Sequence, residues 1–226
     1  MTSLKTIIIL LSFGFLNGFV TAQTINLKII ETTDVHGAIV PYDLLNESSM
    51  NNSLAQVHTF VNVQKRQPDT EVILLDNGDM LQGDPMAYYY NYVDTSRNIF
   101  AEAMNHMKYD AATIGNHDIE TGHPVYDNFR KQINFPWLAA NAITTETDEP
   151  YFEPYAVIEK NGVRVAVLGL ITPAIPKWLP EILWEGIRFE DMIETAEEWV
   201  PIIKEKENPD IILGVATGGT MIDVYR

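Results

Sequence analysis

Residues 111–118 read Ala-Ala-Thr-Ile-Gly-Asn-His-Asp, a short apolar run that breaks into a glycine and three polar side chains. An apolar run of this length bounded by turn residues reads as a strand, and the polar residues after it form the loop at its carboxyl end. The pattern occurs twice upstream. Leu27 to Thr32 runs into Thr33-Asp34-Val35-His36-Gly37, and Glu71 to Leu75 runs into Asp76-Asn77-Gly78-Asp79-Met80. Helical stretches lie between. Ser53 is placed to cap a helix over Leu54 to Gln67 with Leu54, Val57, Val61 and Val63 on one face, and Arg97 to Met107 turns Ile99, Phe100, Ala103, Met104 and Met107 inward. Strands alternating with such stretches predict a layered α/β domain. In open α/β sheets ligands bind outside the carboxyl ends of strands, so one site is expected to collect all three polar bursts.

Further along, Tyr126 to Ile133 reads as helix and Trp137 to Ala140 as strand. Ala156 to Glu159 and Arg164 to Leu170 flank Asn161-Gly162, a strong hairpin signal. Phe189 to Lys206 is amphipathic, with Pro201 expected to kink it, and Ile211 to Val215 reads as a last buried strand. No internal repeat or long linker interrupts residues 23–226, which are expected to form one domain.

Residues 1–22 read differently. Lys5 is the only charge before Lys28, Thr6 to Val20 is almost wholly apolar, and Val20-Thr21-Ala22 ends in a small residue ahead of Gln23. That is the order of a secretory signal peptide, and the run is shorter than the roughly 20 apolar residues of a spanning helix. The expected location is therefore exported, periplasmic or extracellular, without stable membrane association after cleavage.

Composition narrows the function. The 226 residues carry 31 Asp plus Glu against 15 Lys plus Arg, a formal charge of −16. Such a balance disfavours binding to polymeric nucleic acid or to an anionic membrane, which needs clustered Lys and Arg. With 46% hydrophobic residues the chain can bury a core, and with no Cys it can have no disulfide, thiolate metal site or cysteine nucleophile. Any metal must then be held by His, carboxylates and amides.

The three bursts supply those groups. Asp34 and His36 lie two apart ahead of Gly37, Asp79 adds a carboxylate able to bridge two ions, and Asn116 adds an amide oxygen. Oxygen and imidazole ligands together suit Mn, Zn, Fe or Co. Two divalent ions about 3.5–4 Å apart suit phosphoester hydrolysis, by polarising a phosphoryl oxygen and acidifying a water. His117 would stand beside them to give a proton to the leaving oxygen, its ring oriented by Asp118 or Glu120.

The Asp34-x-His36-Gly37 motif, the Gly78-Asp79-x-x-Gln82-Gly83-x-Pro85 motif and Gly115-Asn116-His117-Asp118, in that order, resemble the calcineurin-like metallophosphoesterases. Thr32-Thr33 before Asp34, and Leu81-Gln82-Gly83, point to the bacterial 5′-nucleotidase/2′,3′-cyclic phosphodiesterase branch. The resemblance implies an α/β/β/α sandwich and a small-molecule phosphoester or nucleotide substrate. It places Asp34, His36 and Asp79 on one metal, Asp79 and Asn116 on a second, His117 as the catalytic imidazole and Glu120 as its carboxylate partner. It also implies a further metal-binding His where Thr217 stands and a Gly-His-x-His segment beyond, yet no His occurs after His123. The sequence therefore reads as a truncated or frame-shifted form of the domain, incomplete at its C-terminus, or else as a non-catalytic exported remnant with an incomplete dimetal site.

Each residue also has a bland reading. Asp-x-His alone is loop chemistry, Gly78-Asp79 alone a turn, and Asp118 alone an acid stabilised at a helix N-terminus. His58 and His106 read as surface or interface residues and His123 as a neighbour of the site. Tyr88-Tyr89-Tyr90 is expected to bury against a neighbouring layer, Met80, Met86, Met104 and Met107 to fill core, and Glu194, Glu197 and Glu198 to form a solvated helix face.

Overall fold

The computed structural model describes residues 24–217, so the expected signal segment 1–22 lies outside the described residues. In chain order the elements are β1 (Asn26–Thr32), β2 (Tyr42–Asp43), β3 (Ser48–Ser49), α1 (Leu54–Lys65), β4 (Thr70–Asp76), α2 (Pro85–Tyr92), α3 (Ile99–Met107), β5 (Ala111–Thr113), α4 (Asn116–Ile119) and α5 (His123–Gln132). The second half continues with β6 (Trp137–Leu138), β7 (Ala142–Thr144), β8 (Tyr155–Lys160), β9 (Val163–Ile171), α6 (Ile175–Trp178), a single 3₁₀ turn (Glu181–Leu183), β10 (Ile187–Phe189), α7 (Met192–Glu207) and β11 (Ile211–Thr217). The helix starts are chemically marked. Ser53, Asp84, Asn98 and Asp191 each accept a backbone N–H from the first turn of α1, α2, α3 and α7, which satisfies donors that have no partner inside the helix.

Two main sheets result. The first has strand order β1-β4-β5-β6, all parallel; the second has β11-β9-β8, with β11 parallel and β8 antiparallel to β9. Successive side chains of a strand face opposite ways, and the core obeys that alternation. Val72 and Leu74 of β4 pack toward the helices with Phe100, Met104 and Phe129, while Ile73 and Leu75 meet Val165, Val167 and Ile158 of the second sheet. Ala166, Leu168 and Leu170 of β9 turn the other way, onto Met192 and Ile203 of α7. The layers are therefore helix, sheet, sheet, helix, an α/β/β/α sandwich. Leu74 is fully buried, and truncating it to Ala would cost about 3 kcal/mol.

The hairpin turn falls at Asn161-Gly162, both with positive φ (48° and 81°). Met80, Met104 and Met107 are buried, and Glu194, Glu197 and Glu198 are exposed. Three expectations fail. Val63 is exposed because Leu54 and Val61 already fill the face of α1 that packs down. The strand at Ile211 is half-open rather than buried, since among the described residues β11 pairs with β9 alone. Tyr88 and Tyr89 are exposed, at 66% and 47%, because α2 lies over the loops and buries only Ala87 and Asn91. Pro201 stays within α7, which runs unbroken from Met192 to Glu207.

Because β1, β4 and β5 are adjacent and parallel, with Thr32 opposite Asp76 and Asp76 opposite Ala112, their carboxyl ends open side by side. The three polar bursts emerge there.

Candidate metal centre and its histidine dyad

The loop after β1 is stitched to the loop after β4. The Asp34 N–H donates to the Gly78 carbonyl (3.1 Å) and the His36 N–H to the Asp79 carbonyl (2.9 Å). Holding both loops this way forces three non-glycine residues into left-handed backbone, with φ of 51° at Asp34, 50° at His36 and 62° at Asp79. Such conformations cost free energy and persist where the surroundings impose them, often at functional sites. All three are expected metal ligands.

His36 is oriented from behind. Its Nδ1 lies 3.0 Å from the Gln82 carbonyl, an acceptor, so Nδ1 carries the proton and Nε2 keeps its lone pair. Nε2 is 3.9 Å from Asp34 Oδ1. Gly83 makes this possible: at φ 122° it lies so close that an added Cβ would sit 2.8 Å from the His36 Cβ.

Asp79 is buried between the second and third loops. Its Oδ1 accepts the His117 N–H at 2.8 Å, and a Cβ on Gly115 would fall 2.1 Å from that oxygen. Only glycine fits there. Burial pushes the Asp79 carboxyl above the usual carboxylate range, opposed by the His117 N–H.

His117 and Glu120 form a dyad on α4 and its C-terminal cap. His117 Nδ1 lies 2.6 Å from Glu120 Oε2, so the other ring nitrogen is left to the site, and the His36 and His117 rings are 5.1 Å apart. Among the described residues, His36, Asp79 and His117 bring ligand atoms within 4.8 Å of one another. Asn116 stands between Gly115 and His117 at the first position of α4, half-buried. The donor set fits a divalent cation: an imidazole lone pair fixed from behind, and a buried carboxylate whose negative charge burial disfavours.

Asp118 does different work from Glu120. Its fully buried carboxylate accepts four backbone N–H groups, from Asp79 (2.9 Å), Met80 (2.9 Å), Leu81 (2.9 Å) and Gly115 (2.8 Å). It thereby clasps the second loop to the third, and burial together with the Asp79 charge pushes it up to about 6. Two further residues escaped sequence reasoning. Asp76 is 1% exposed and bonded to the Thr32 hydroxyl (2.5 Å), and burial, with Asp118 nearby, pushes it up to about 8. Asn77 donates to the Ala216 carbonyl (3.0 Å) and so ties β4 to β11. No local pattern marks either, since both roles depend on strands distant in sequence.

Thr217, where the resemblance implies a His, is buried at the end of β11. Its hydroxyl reaches the Asn77 carbonyl and lies 3.0 Å from the Thr113 hydroxyl. His123, at the start of α5, lies 3.2 Å from Asp127 and 2.9 Å from the Glu185 carbonyl. His58 and His106 pack on one another 5.2 Å apart, away from the three loops on α1 and α3.

Comparison with known proteins identifies the family and the fold. The calcineurin-like phosphoesterase family model matches residues 27–217. A 2′,3′-cyclic-nucleotide 2′-phosphodiesterase/3′-nucleotidase of Haemophilus influenzae is 29% identical over 215 residues, 89% of this chain and 32% of the relative. A 5′-nucleotidase of Vibrio cholerae is 30% identical over 200 residues, 87% of this chain and 34% of the relative. The crystal structure of the calcineurin-like phosphoesterase YfkN from Bacillus subtilis superposes with a TM-score of 0.76 at 30% identity, covering 88% of this chain and 64% of that one. The chain spans about a third or less of the length of the first curated relatives it matches.

Proposed function

The chain belongs to the calcineurin-like phosphoesterase family, and from that premise we propose that it hydrolyses phosphoesters of small molecules, with nucleotide 5′-monophosphates or 2′,3′-cyclic nucleotides as substrates. The observation that carries this is the His117–Glu120 dyad at 2.6 Å, set against His36 and Asp79. The names of the relatives support nucleotides as the substrate class.

In this reading Asp34, His36, Asp79 and Asn116 would hold two divalent ions, with Mn, Zn, Fe and Co as the candidates. When bound, such ions supply Lewis-acid polarisation of the phosphoryl group and a more acidic attacking water. The chain's own part is positional. Asp118 fixes the second loop, Gln82 fixes the His36 tautomer, and Glu120 holds His117 with its free nitrogen toward the site. His117 then donates a proton to the leaving oxygen, and Glu120 stabilises the imidazolium from which it comes. The acidic chain would repel a phosphate at long range, so local cations have to dominate at the site.

Residues 23–226 act in this reading as one exported domain, periplasmic or extracellular. The charge and apolar order of residues 1–22 supports export. Among the described residues no helix is long and apolar enough to cross a membrane. The test is turnover of an aryl phosphate, AMP and 2′,3′-cyclic AMP in Mn²⁺ by residues 23–226, compared with His117→Ala. Turnover equal in the variant overturns the assignment of His117.

One observation favours a second reading, a domain that holds fewer ions and does not turn over. Thr217 offers a hydroxyl already engaged by Asn77 and Thr113 where an imidazole is implied. Metal stoichiometry separates the two: two ions per chain support the enzyme, and one or none supports the remnant.

A further inference from the structure

Strand alternation sends Asp76, the last residue of β4, and Asn77 after it to opposite layers. Asp76 follows Val72 and Leu74 toward the helices and bonds the Thr32 hydroxyl, itself 2.9 Å from the Tyr109 hydroxyl. Asn77 turns to the second sheet, and each of its polar atoms is engaged. Its N–H donates to the Thr32 carbonyl (2.7 Å) and its Nδ2 to the Ala216 carbonyl (3.0 Å), its Oδ1 accepts the Thr113 hydroxyl (3.2 Å), and its carbonyl accepts the Thr217 hydroxyl. The two threonine hydroxyls lie 3.0 Å apart, in residues that are 0% and 3% exposed. Thr217 continues a row of β11 whose other members, Leu213 and Val215, pack between the sheets with Ile73 and Leu75. Valine would fill that place in the same shape, whereas a hydroxyl buried there costs free energy unless its hydrogen bond is made. A buried polar network that is fully satisfied rigidifies what it holds.

What it holds is the peptide that leads into the candidate ligands. The Gly78 carbonyl accepts the Asp34 N–H (3.1 Å) and the Asp79 carbonyl the His36 N–H (2.9 Å), so both ligands of the first loop hang on the residues directly after Asn77. On the far side there is no slack, since a Cβ on Gly78 would fall 2.5 Å from the Gly115 nitrogen. A shift of the Asn77 peptide therefore carries Asp79 with it, and through Gly78 and Asp79 the first loop. We propose that Thr217 is a positioning residue for the candidate metal centre, its hydroxyl fixing the Asn77 peptide and thereby the placement of Asp34, His36 and Asp79. Its proton is committed to the Asn77 carbonyl, so it acts through the loop. The inference rests on the proposed metal binding, whether one ion is held or two, and gives a task to the position where the resemblance implies a His.

The test is calorimetric titration of Mn²⁺ into the full chain and into Thr217→Val, Thr217→Ser and Ile203→Ala, each below its melting temperature. Thr217→Val keeps the shape and removes the hydroxyl, and it weakens Mn²⁺ binding about ten- to a hundredfold, as loss of a group that orients ligands does. Thr217→Ser keeps the hydroxyl and the affinity. Ile203→Ala truncates the core between β9 and α7, so it lowers the melting temperature and leaves the affinity as it was. Unchanged affinity in Thr217→Val overturns the inference, and so does an equal loss in Ile203→Ala, which would mean general weakening of the fold. Should Thr217→Val fail to fold, Thr217→Ala is read in the same way. A second readout needs no metal: amide hydrogen exchange in chelator. Exchange at Gly78 and Asp79 about tenfold faster in Thr217→Val, with the middle of β9 unchanged, supports the clamp, and uniform acceleration overturns it. If the unaltered chain takes up no Mn²⁺, the proposed hydrolysis fails, and exchange alone decides whether Thr217 orders the loop.

Discussion

His117 Nδ1 and Glu120 Oε2 lie 2.6 Å apart across one turn at the end of α4, with both side chains more than a third exposed. A surface pair of this kind contributes little to stability, under about 1 kcal/mol. Its short distance therefore matters for orientation. Glu120→Gln keeps an acceptor for the Nδ1 proton and removes the charge. Turnover should fall about ten- to a hundredfold at unchanged melting temperature, against about 10²–10⁴-fold for His117→Ala. Steady-state kinetics beside a melting curve decide it; a large loss of stability with normal turnover would make Glu120 merely structural.

Asp118→Asn should show the reverse pattern. The buried carboxylate satisfies four backbone donors with two oxygens. An asparagine offers one oxygen, and its amide hydrogens face the remaining N–H groups. Two unsatisfied buried donors cost about 3 kcal/mol together. Urea denaturation of the metal-free variant checks this, and an unchanged midpoint would mean that the loops hold without their clasp.

Asp76 gives a pH dependence whose sign can be worked out. Burial pushes its carboxyl up to about 8, against the pull of the Thr32 hydroxyl, whereas the unfolded chain releases that proton near 3.8. Between these values the folded form binds one proton more than the unfolded form. Stability is therefore complete below the unfolded value and falls as pH rises to about 8, by up to about 1.4 kcal/mol per unit. Asp118 adds to the same slope only up to about 6. Asp76→Asn, which mimics the protonated side chain toward Thr32 and Gly78, should flatten the fall between pH 6 and 8. Denaturant midpoints measured in chelator at three pH values would expose a persistent slope.

The strands that carry the site were legible in the sequence, because each is an apolar run ended by glycine and polar residues. The hairpin at Asn161-Gly162 was legible for the same local reason. Choosing between Asp118 and Glu120 was not possible from spacing, since both lie within a turn of His117. Long-range placement makes the choice: Asp118 turns inward onto N–H groups nearly 40 residues away, which only the pairing of β4 with β5 brings near. The pairing of β7 with β10, three residues each and more than 40 apart, leaves no local trace. Tyr88 and Tyr89 misled because aromatic content signals burial on average, whereas α2 rests on loops and offers its outer face to solvent; Tyr90 packs on the core as expected.

Left-handed backbone at Asp34 gives a test of its role as a ligand. Asp34 has φ of 51°, an exposed side chain and one local bond, from the Thr33 hydroxyl at 2.5 Å. If it served the fold alone, glycine would be the better residue. Asp34→Gly should raise the stability of the metal-free chain by about 1 kcal/mol, by removing strain. The same change should weaken Mn²⁺ binding at least tenfold, seen as a smaller rise in melting temperature on adding the ion. Unweakened binding in this variant would remove Asp34 from the ligand set.

Gly83 tests whether the His36 imidazole is placed from behind. The glycine has φ of 122°, and an added Cβ would meet the His36 Cβ at 2.8 Å and its carbonyl oxygen at 2.9 Å. Backbone cannot yield there cheaply, because the same His36 carbonyl accepts the Asp84 N–H that starts α2. Gly83→Ala must therefore displace the His36 side chain and loosen its bond to Gln82, so metal affinity falls although no ligand has been altered. Strain at this φ should also cost about 1–3 kcal/mol of stability. Gly162→Ala is the control, since it too has a positive φ (81°) but nothing lies within 4 Å of its added Cβ. It should lose stability and keep its metal affinity. Calorimetric titration of Mn²⁺ into both variants distinguishes displacement of His36 from general weakening of the fold; equal losses of affinity in the two would argue for general weakening.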